Sequence, residues 1–188
     1  MDEIKNDFSP NKKKIRKSIT KWLIFILAIL IITFIVGIGH IPLYVYSNSN
    51  NAWGEYREIV VITLNGTIKE KIDSVTGYYD DNDKRIITSE KSLKKQKISK
   101  EEVKKLLELS SSISSEMTPE NDMVFCDAGN YNEWALNLSE LSYIKIEEGP
   151  SYRRHNPTAV SFNDYVDELY EKYIEHAPAK VKTSTKTR

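Results

Sequence analysis

The longest apolar run in the chain extends from Leu23 to Ile41 and carries no charged side chain. As an α-helix, a run of this length rises about 28 Å, which matches the hydrocarbon thickness of a bilayer. Trp22 precedes the run, while Tyr44 and Tyr46 follow it. Aromatic residues of this kind concentrate where a helix crosses the membrane interface. The pattern therefore predicts a single transmembrane helix with interfacial aromatic residues at both ends.

The basic residues around this run predict its orientation. Seven of them precede it, and apart from Lys5 they form a cluster: Lys12, Lys13, Lys14, Arg16, Lys17 and Lys21. The first basic residue after the run is Arg57. Because flanks rich in Lys and Arg remain in the cytoplasm, the N-terminal side is expected to be cytoplasmic and the rest of the chain extracytoplasmic. Residues 1–21 are thus predicted to be a basic cytoplasmic stub, and residues 22–46 the transmembrane anchor with its outer interface.

A cleaved secretion signal is the alternative interpretation of the same run. Signal peptides have a shorter apolar core and small residues before the cleavage site. Val45, Tyr46 and Ser47 match such a site only loosely, and the apolar run is longer than a signal peptide requires. We expect the anchor to be retained, and the alternative is a protein secreted after cleavage near Ser47.

Beyond the run, short apolar segments alternate with polar ones. Residues 47–56 are polar and turn-prone, which predicts a linker. Residues 59–64 are apolar on both faces, and Ile68 and Ile72 alternate with lysines, so two β-strands are predicted here. The dipeptide Asn65-Gly66 separates them, and it is the strongest short sequence signal for a β-hairpin.

Four further segments complete the strand and tail predictions. Residues 85–98 are predicted to supply one or two exposed strands, and residues 123–127 a short buried strand. Residues 133–138 and 143–147 are predicted to pair as a hairpin. Residues 178–188 are almost entirely polar and are predicted to be a disordered tail.

Two amphipathic helices are predicted where apolar residues recur at helical spacing. Ser99 and Glu102 have the spacing of a capping box at the start of the first helix. Ser161 is predicted to cap the second. The apolar stripe of that second helix comprises Phe162, Tyr165, Val166, Leu169, Tyr170, Tyr173 and Ile174. A stripe of this kind is typical of a helix that packs on a core.

Together these elements predict an α+β fold. A single N-terminal transmembrane helix is followed by a small antiparallel β-sheet domain, residues 57–177, with two amphipathic helices packed on one face. A domain of this size can form its own core. The other face of the sheet is expected to remain available to a partner.

The charge of the chain is balanced overall but divided unevenly. The sequence has 27 basic and 27 acidic residues, yet residues 84–105 are mainly basic and residues 106–179 mainly acidic. On the last predicted helix, Asp167, Glu171 and Glu175 recur at intervals of four and share one face. They are a candidate docking surface for a cationic partner. The simpler interpretation is an ordinary solvated helix face.

Little in the sequence suggests catalysis. Cys126 is the only cysteine, and His155 is too remote in sequence to form a recognisable nucleophile–base motif with it. The acidic segment that begins at Asp80 lacks the glycine and glutamate that a calcium-binding loop requires. We therefore predict no enzyme activity, catalytic residue, metal or cofactor. The basic N-terminal residues are explained by topology, so no nucleic-acid partner is predicted.

These features favour a membrane-anchored extracytoplasmic binding protein of a bacterial cell envelope. One specific form is an immunity-type protein that captures a secreted toxin or antimicrobial peptide, with the lipid bilayer and a protein or peptide as its partners. An accessory or sensory subunit of an envelope complex is the first alternative. An envelope hydrolase that uses Cys126 is the second.

Overall fold

A computed structural model describes residues 10–50, 54–119, 129–149 and 153–187. The chain divides into two compact units, Met1–His40 and Ile41–Arg188. The first unit contains a long helix, and the second contains a β-sheet with two shorter helices.

The long helix of the first unit is α1 (Pro10–Gly39). Its segment Trp22–Gly39 has a mean hydropathy of 2.9 and is long and apolar enough to span a membrane. This segment has no buried residues, and Phe34 exposes 69% of its surface. Soluble proteins rarely expose a continuous apolar surface of this size. The six basic residues predicted to set the topology lie in the first part of α1, before this segment.

The helix ends two residues earlier than the apolar run. Gly39 is its last residue. Ile41 belongs to the second unit, where its carbonyl oxygen accepts a hydrogen bond from the backbone N–H of Leu64 at 3.0 Å. Only His40 and Ile41 therefore separate the end of the helix from Pro42, which begins the first strand.

The second unit is dominated by an antiparallel sheet. Its strands in the described residues are β1 (Pro42–Asn50), β2 (Glu55–Thr63), β3 (Thr67–Tyr79), β4 (Arg85–Lys97), β5 (Thr118–Pro119), β6 (Asn130–Asn137), β7 (Ser142–Gly149), β8 (Arg154–His155) and β9 (Lys180–Thr187). Their order across the sheet is β5-β8-β7-β6-β1-β2-β3-β4-β9. The predicted antiparallel sheet is confirmed, including the hairpin of β6 and β7 and the single long strand β4.

The hairpin predicted at Asn65-Gly66 is also confirmed. Strands β2 and β3 pair from Ile62 and Ile68 outward, and the backbone N–H of Gly66 donates to the carbonyl oxygen of Thr63 at 2.8 Å. Gly66 has φ of +73°, in the left-handed region that favours glycine. A Cβ atom at this position would lie 2.9 Å from the carbonyl oxygen of Ile98. The turn therefore requires glycine for both its conformation and its close contact.

The variant Gly66→Ala is expected to lower the free energy of unfolding by about 2 kcal/mol, because it combines left-handed strain with a backbone clash. Gly77→Ala is the matched control. Gly77 does not have a left-handed φ, and a Cβ atom there would have ordinary contacts of 3.6 Å or more with Arg85. Urea unfolding of the two variants measures the difference, and equal losses would contradict the requirement for glycine at 66.

Strand β1 occupies the place where the sequence predicted an outer interface and a linker. Residues 47–50 of the predicted linker continue β1, and Ser47 pairs with Ile59 on one side and Asn132 on the other. Tyr44 is 5% exposed and packs against Phe162, with 6.1 Å between ring centroids. Tyr44 and its half-buried neighbour Tyr46 are thus sheet residues rather than interfacial ones. Backbone pairing on both sides outweighs the low strand propensity of Ser and Asn.

The predicted tail at 178–188 also differs from the structure. Lys180–Thr187 form β9, which pairs with β4 from Leu93 to Ile86. Its residues are polar, so no apolar periodicity marks it in the sequence. An exposed edge of a sheet nevertheless offers main-chain hydrogen-bond partners to any extended segment. The predicted strand at 123–127, with Cys126, lies outside the described residues.

Helix α2 (Lys100–Ser110) begins at the predicted capping box. The backbone N–H of Glu102 donates to Ser99 Oγ at 3.1 Å, and the backbone N–H of Ser99 donates to Glu102 Oε2 at 2.7 Å. Burial acts to raise the pKa of Glu102, but hydrogen bonds from Lys172, Ser99 and Tyr173 lower that pKa to about 2. The capping carboxylate therefore also contacts the end of the second short helix.

That helix is α3 (Val160–Tyr170), followed by one π-helical turn, Glu171–Glu175. Ser161 was predicted to cap it, but the helix begins at Val160 and Ala159 occupies the cap without a side-chain hydrogen bond. The predicted apolar stripe is confirmed. Its buried members are Phe162, Tyr165, Val166, Leu169 and Ile174, and they belong to the same hydrophobic core as the buried residues of the sheet.

Candidate functional site

A pocket of about 240 Å³ lies where α3 meets the middle of the sheet. We call it the tyrosine–carboxylate pocket, and its lining residues are Tyr44, Tyr46, Glu58, Val60, Glu133, Val166, Asp167 and Tyr170. They come from β1, β2, β6 and α3. The pocket thus combines three tyrosines with three carboxylates on a largely apolar floor.

Strand alternation explains why these side chains converge. Tyr46 pairs with Val60 on β2 and with Glu133 on β6, so the three lie in one row across the sheet. Tyr44 and Glu58 lie two residues away on their strands, and alternate residues point to the same face. The helix supplies the remaining wall because Val166, Asp167 and Tyr170 follow at helical spacing.

Tyrosine hydroxyls in and beside the pocket have carboxylate partners, except that of Tyr46, whose side-chain partner is Asn48. The hydroxyl of Tyr44 donates to Glu133, and that of Tyr56, beside the pocket, donates to Glu58 Oε2 at 3.1 Å. Burial and these carboxylates raise the pKa of Tyr44, and they raise the pKa of Tyr56 to about 12. The hydroxyls therefore remain protonated donors across the physiological range.

Two carboxylates just outside the pocket are paired with cations. Glu70 accepts a hydrogen bond from Tyr170 and lies 3.4 Å from Lys94 Nζ. Glu147 Oε1 accepts from Tyr131 at 2.8 Å and lies 3.6 Å from Arg153 Nε. Charge on this face of the sheet is thus neutralised on both sides of the pocket.

The carboxylates that line the pocket lack such pairing. Among the described residues, no Lys or Arg nitrogen lies within 4.0 Å of Glu58, Glu133 or Asp167. Burial, followed by the negative charges of Glu147 and Asp167, raises the pKa of Glu133 to about 7. Burial is also the main cause of the raised pKa of Glu58 and of Asp167. Unpaired carboxylates in a partly desolvated site disfavour their own ionisation.

This arrangement is suited to binding a cation. An ammonium or guanidinium group in the pocket would offset the mutual repulsion of the carboxylates and could lie against the tyrosine rings. Metal ligation has no comparable support, since the described part of the chain contains no group of three His, Cys, Asp or Glu side chains that could hold an ion. His155 lies in β8, which pairs with β5 and β7, and Cys126 is outside the described residues.

The structure divides the predicted acidic surface. Asp167 lines the pocket, but Glu171 and Glu175 do not. They lie in the π-helical turn, where the regular spacing of four is lost, and the carbonyl oxygen of Glu175 accepts a hydrogen bond from Lys94 Nζ at 3.2 Å. Glu58 and Glu133 were not predicted as site residues. Each is a carboxylate at a strand position that faces the core, and this can be recognised only once the strand pairing is known.

Comparisons with protein-family models, with curated proteins and with solved structures give no match for this chain, so its fold and its pocket are interpreted from its own residues.

Proposed function

We propose that this chain is a membrane-anchored extracytoplasmic binding protein that captures a cationic peptide, in the manner of an immunity protein against a secreted toxin or antimicrobial peptide. The observation that carries the proposal is the tyrosine–carboxylate pocket, where Glu58, Glu133 and Asp167 converge without a cationic partner among the described residues. The negative potential of such a pocket attracts and orients a positively charged ligand.

Retention of the anchor is supported by the position of β1. Cleavage near Ser47 would remove residues 42–47, which supply the first two thirds of a strand paired on both sides. These residues include Leu43, 1% exposed, and Tyr44, 5% exposed. A signal peptide is normally dispensable for the fold of the mature domain. In the proposed topology, the basic flank of α1 is cytoplasmic and the sheet unit is outside.

The proposal includes the finer architecture in which both helices pack on one face of the sheet. Support comes from Tyr44 of β1 against Phe162 of α3 and from Lys105 of α2, whose Nζ lies 3.7 Å from the ring centroid of Tyr165. Such a one-sided arrangement leaves the pocket at the rim of the helical layer, where a peptide side chain can enter from solvent.

A lysine-rich peptide should bind the wild-type protein and lose about tenfold in affinity in the double variant Glu133→Gln/Asp167→Asn, because two unpaired charges of the pocket are removed. Glu171→Gln/Glu175→Gln is the matched control, with the same change in net charge outside the pocket. Isothermal titration calorimetry with the peptide and with its fully acetylated form measures both effects.

The pH dependence of this binding has a defined sign. The pKa of Glu133 is about 7, so a cation that requires its ionised form should bind about tenfold more weakly at pH 6 than at pH 8.

Equal losses of peptide affinity in the pocket variant and in the control variant would contradict the pocket as the site. Undiminished binding of the acetylated peptide would contradict charge recognition.

A further inference from the structure

The face of the sheet opposite the buried residues is strongly basic. By strand alternation, the part of this open face formed by β2, β3, β4 and β9 carries Arg57, Lys69, Lys71, Arg85, Lys91, Lys95, Lys97, Lys180, Lys182 and Lys186. The acidic residues at alternating positions of the same strands are Glu55 and Asp73. All of these cations are exposed except Lys69, which is half-buried.

The register places these cations in neighbouring rows. Lys69 pairs with Lys95, and Lys91 lies between Asp73 of β3 and Lys182 of β9. Like charges directly opposite each other destabilise a sheet. Within the described residues of these four strands, Asp73 offsets part of this repulsion, because it forms a salt bridge with Lys71 and lies near Lys91 and Arg57. The pair Lys69 and Lys95 has no salt bridge among the described residues. A repeated unfavourable arrangement of this kind indicates an external anion.

The open face also contains a groove with a volume of about 920 Å³. Arg57, Arg85 and Lys91 line it, together with Asp73 and Gly77. The guanidinium of Arg85 lies beside Gly77, with Nε 3.6 Å from where a Cβ atom would lie. The groove therefore has cations on β2 and β4 and a bare backbone position between them.

We propose that the open face binds a linear polyanion without bases, namely a phosphate- or sulfate-bearing polymer of the cell exterior. Successive outward residues on a strand are about 6.6 Å apart. An extended chain of anions along β3, β4 and β9 therefore meets a cation in most rows of the face, the row of Val75, Ser89 and Ser184 being an exception. The concave groove fits a chain better than it fits a flat bilayer.

The composition of the face favours a polymer without bases. Lysines outnumber arginines, and lysine is a point charge without the fork that recognises one defined phosphate or guanine. Aliphatic and hydroxyl side chains, including Ile59, Val61 and Ser89, lie between most of the cations. The aromatic residues Tyr56, which lines the groove, and Tyr79, which pairs with Arg85, lie at one end of the strands, and none lies between the lysines of β4 and β9. Binding of single-stranded nucleic acid relies on aromatic side chains that stack on bases. The location of the polymer outside the cell rests on the proposed topology, but the binding itself does not.

The test uses the full chain in micelles of a zwitterionic detergent. Medium-chain inorganic polyphosphate and an oligothymidylate with the same number of charges are titrated over a range of salt concentrations. The variant Lys91→Gln/Lys95→Gln is compared with Lys100→Gln/Lys104→Gln, which removes the same charge from exposed positions of α2. Melting curves and binding of the lysine-rich peptide establish that each variant is folded.

Polyphosphate is expected to bind with a strong salt dependence and at least as tightly as oligothymidylate. The open-face variant should bind polyphosphate about tenfold more weakly than the wild type at low salt. Its affinity should also depend less steeply on salt concentration, because fewer counterions are released on binding. The α2 variant should bind as the wild type does. Absence of binding, equal losses in both variants, or a clear preference for oligothymidylate would each overturn the proposal. Loss of peptide binding alone would instead contradict the proposed function.

Discussion

A fragment of residues 48–188 is expected to remain unfolded under conditions in which a fragment of residues 41–188 folds cooperatively. The shorter fragment corresponds to cleavage near Ser47 and lacks two thirds of β1, which joins β2 to β6. It also loses Leu43 and Tyr44 from the core. Removal of a large buried side chain costs about 2–5 kcal/mol, and two such losses together with the strand pairing approach the total stability of a typical domain.

Circular dichroism and urea unfolding of the two fragments measure this effect. A synthetic peptide of residues 41–50 provides the control, since a strand supplied in trans can complete a sheet whose central strand is missing. Recovery of the fold on adding the peptide would assign the defect to β1. If the shorter fragment unfolds at the same urea concentration as the longer one, β1 is dispensable and cleavage near Ser47 is compatible with the fold.

The variant Glu133→Gln is expected to stabilise the sheet unit at pH 8 by about 2–3 kcal/mol and to have little effect at pH 4. The folded-state pKa of Glu133 is raised from 4.5 to about 7. Its protonated form therefore favours folding below pH 4.5, and this contribution is lost as the pH rises through 7. Glutamine resembles the protonated acid and can accept the hydrogen bond from Tyr44. Because glutamine does not ionise, the variant does not lose stability as the pH rises.

Urea unfolding of the 41–188 fragment between pH 4 and pH 8 measures this difference. Glu171→Gln is the control, because Glu171 is an exposed acid outside the pocket. A gain in stability that is the same at pH 4 and pH 8, or that the control shares, would contradict the assignment of a raised pKa to Glu133. A binding site that is less stable than its neutral variant is common in proteins, because function opposes optimal stability.

Local sequence signals predicted the parts of the fold that local physics determines. The Asn65-Gly66 turn, the Ser99 capping box and the apolar stripe from Phe162 to Ile174 each depend on residues a few positions apart. Their conformational preferences and hydrogen bonds are satisfied within the segment itself. All three were therefore recognisable without knowledge of the tertiary structure.

Elements that depend on distant partners were missed. The segment 47–50 and β9 are polar, and they become strands because neighbours far away in sequence pair with them. The pocket has the same origin, since Glu58, Glu133 and Asp167 are brought together by the order of β2, β1 and β6 and by the placement of α3. Asp167 alone was predicted as a site residue, and its partners were predicted to be Glu171 and Glu175 on the same helix.

The most direct test of the proposed anchoring is the intact mass of the protein recovered from alkali-washed membranes of cells that produce it. A retained anchor predicts a membrane-bound species that includes residues 22–39 and, for the full sequence, a mass of 21.7 kDa. A species that begins near Asn48 and is found in the medium would contradict both the anchor and the role of β1 as a strand of the mature protein.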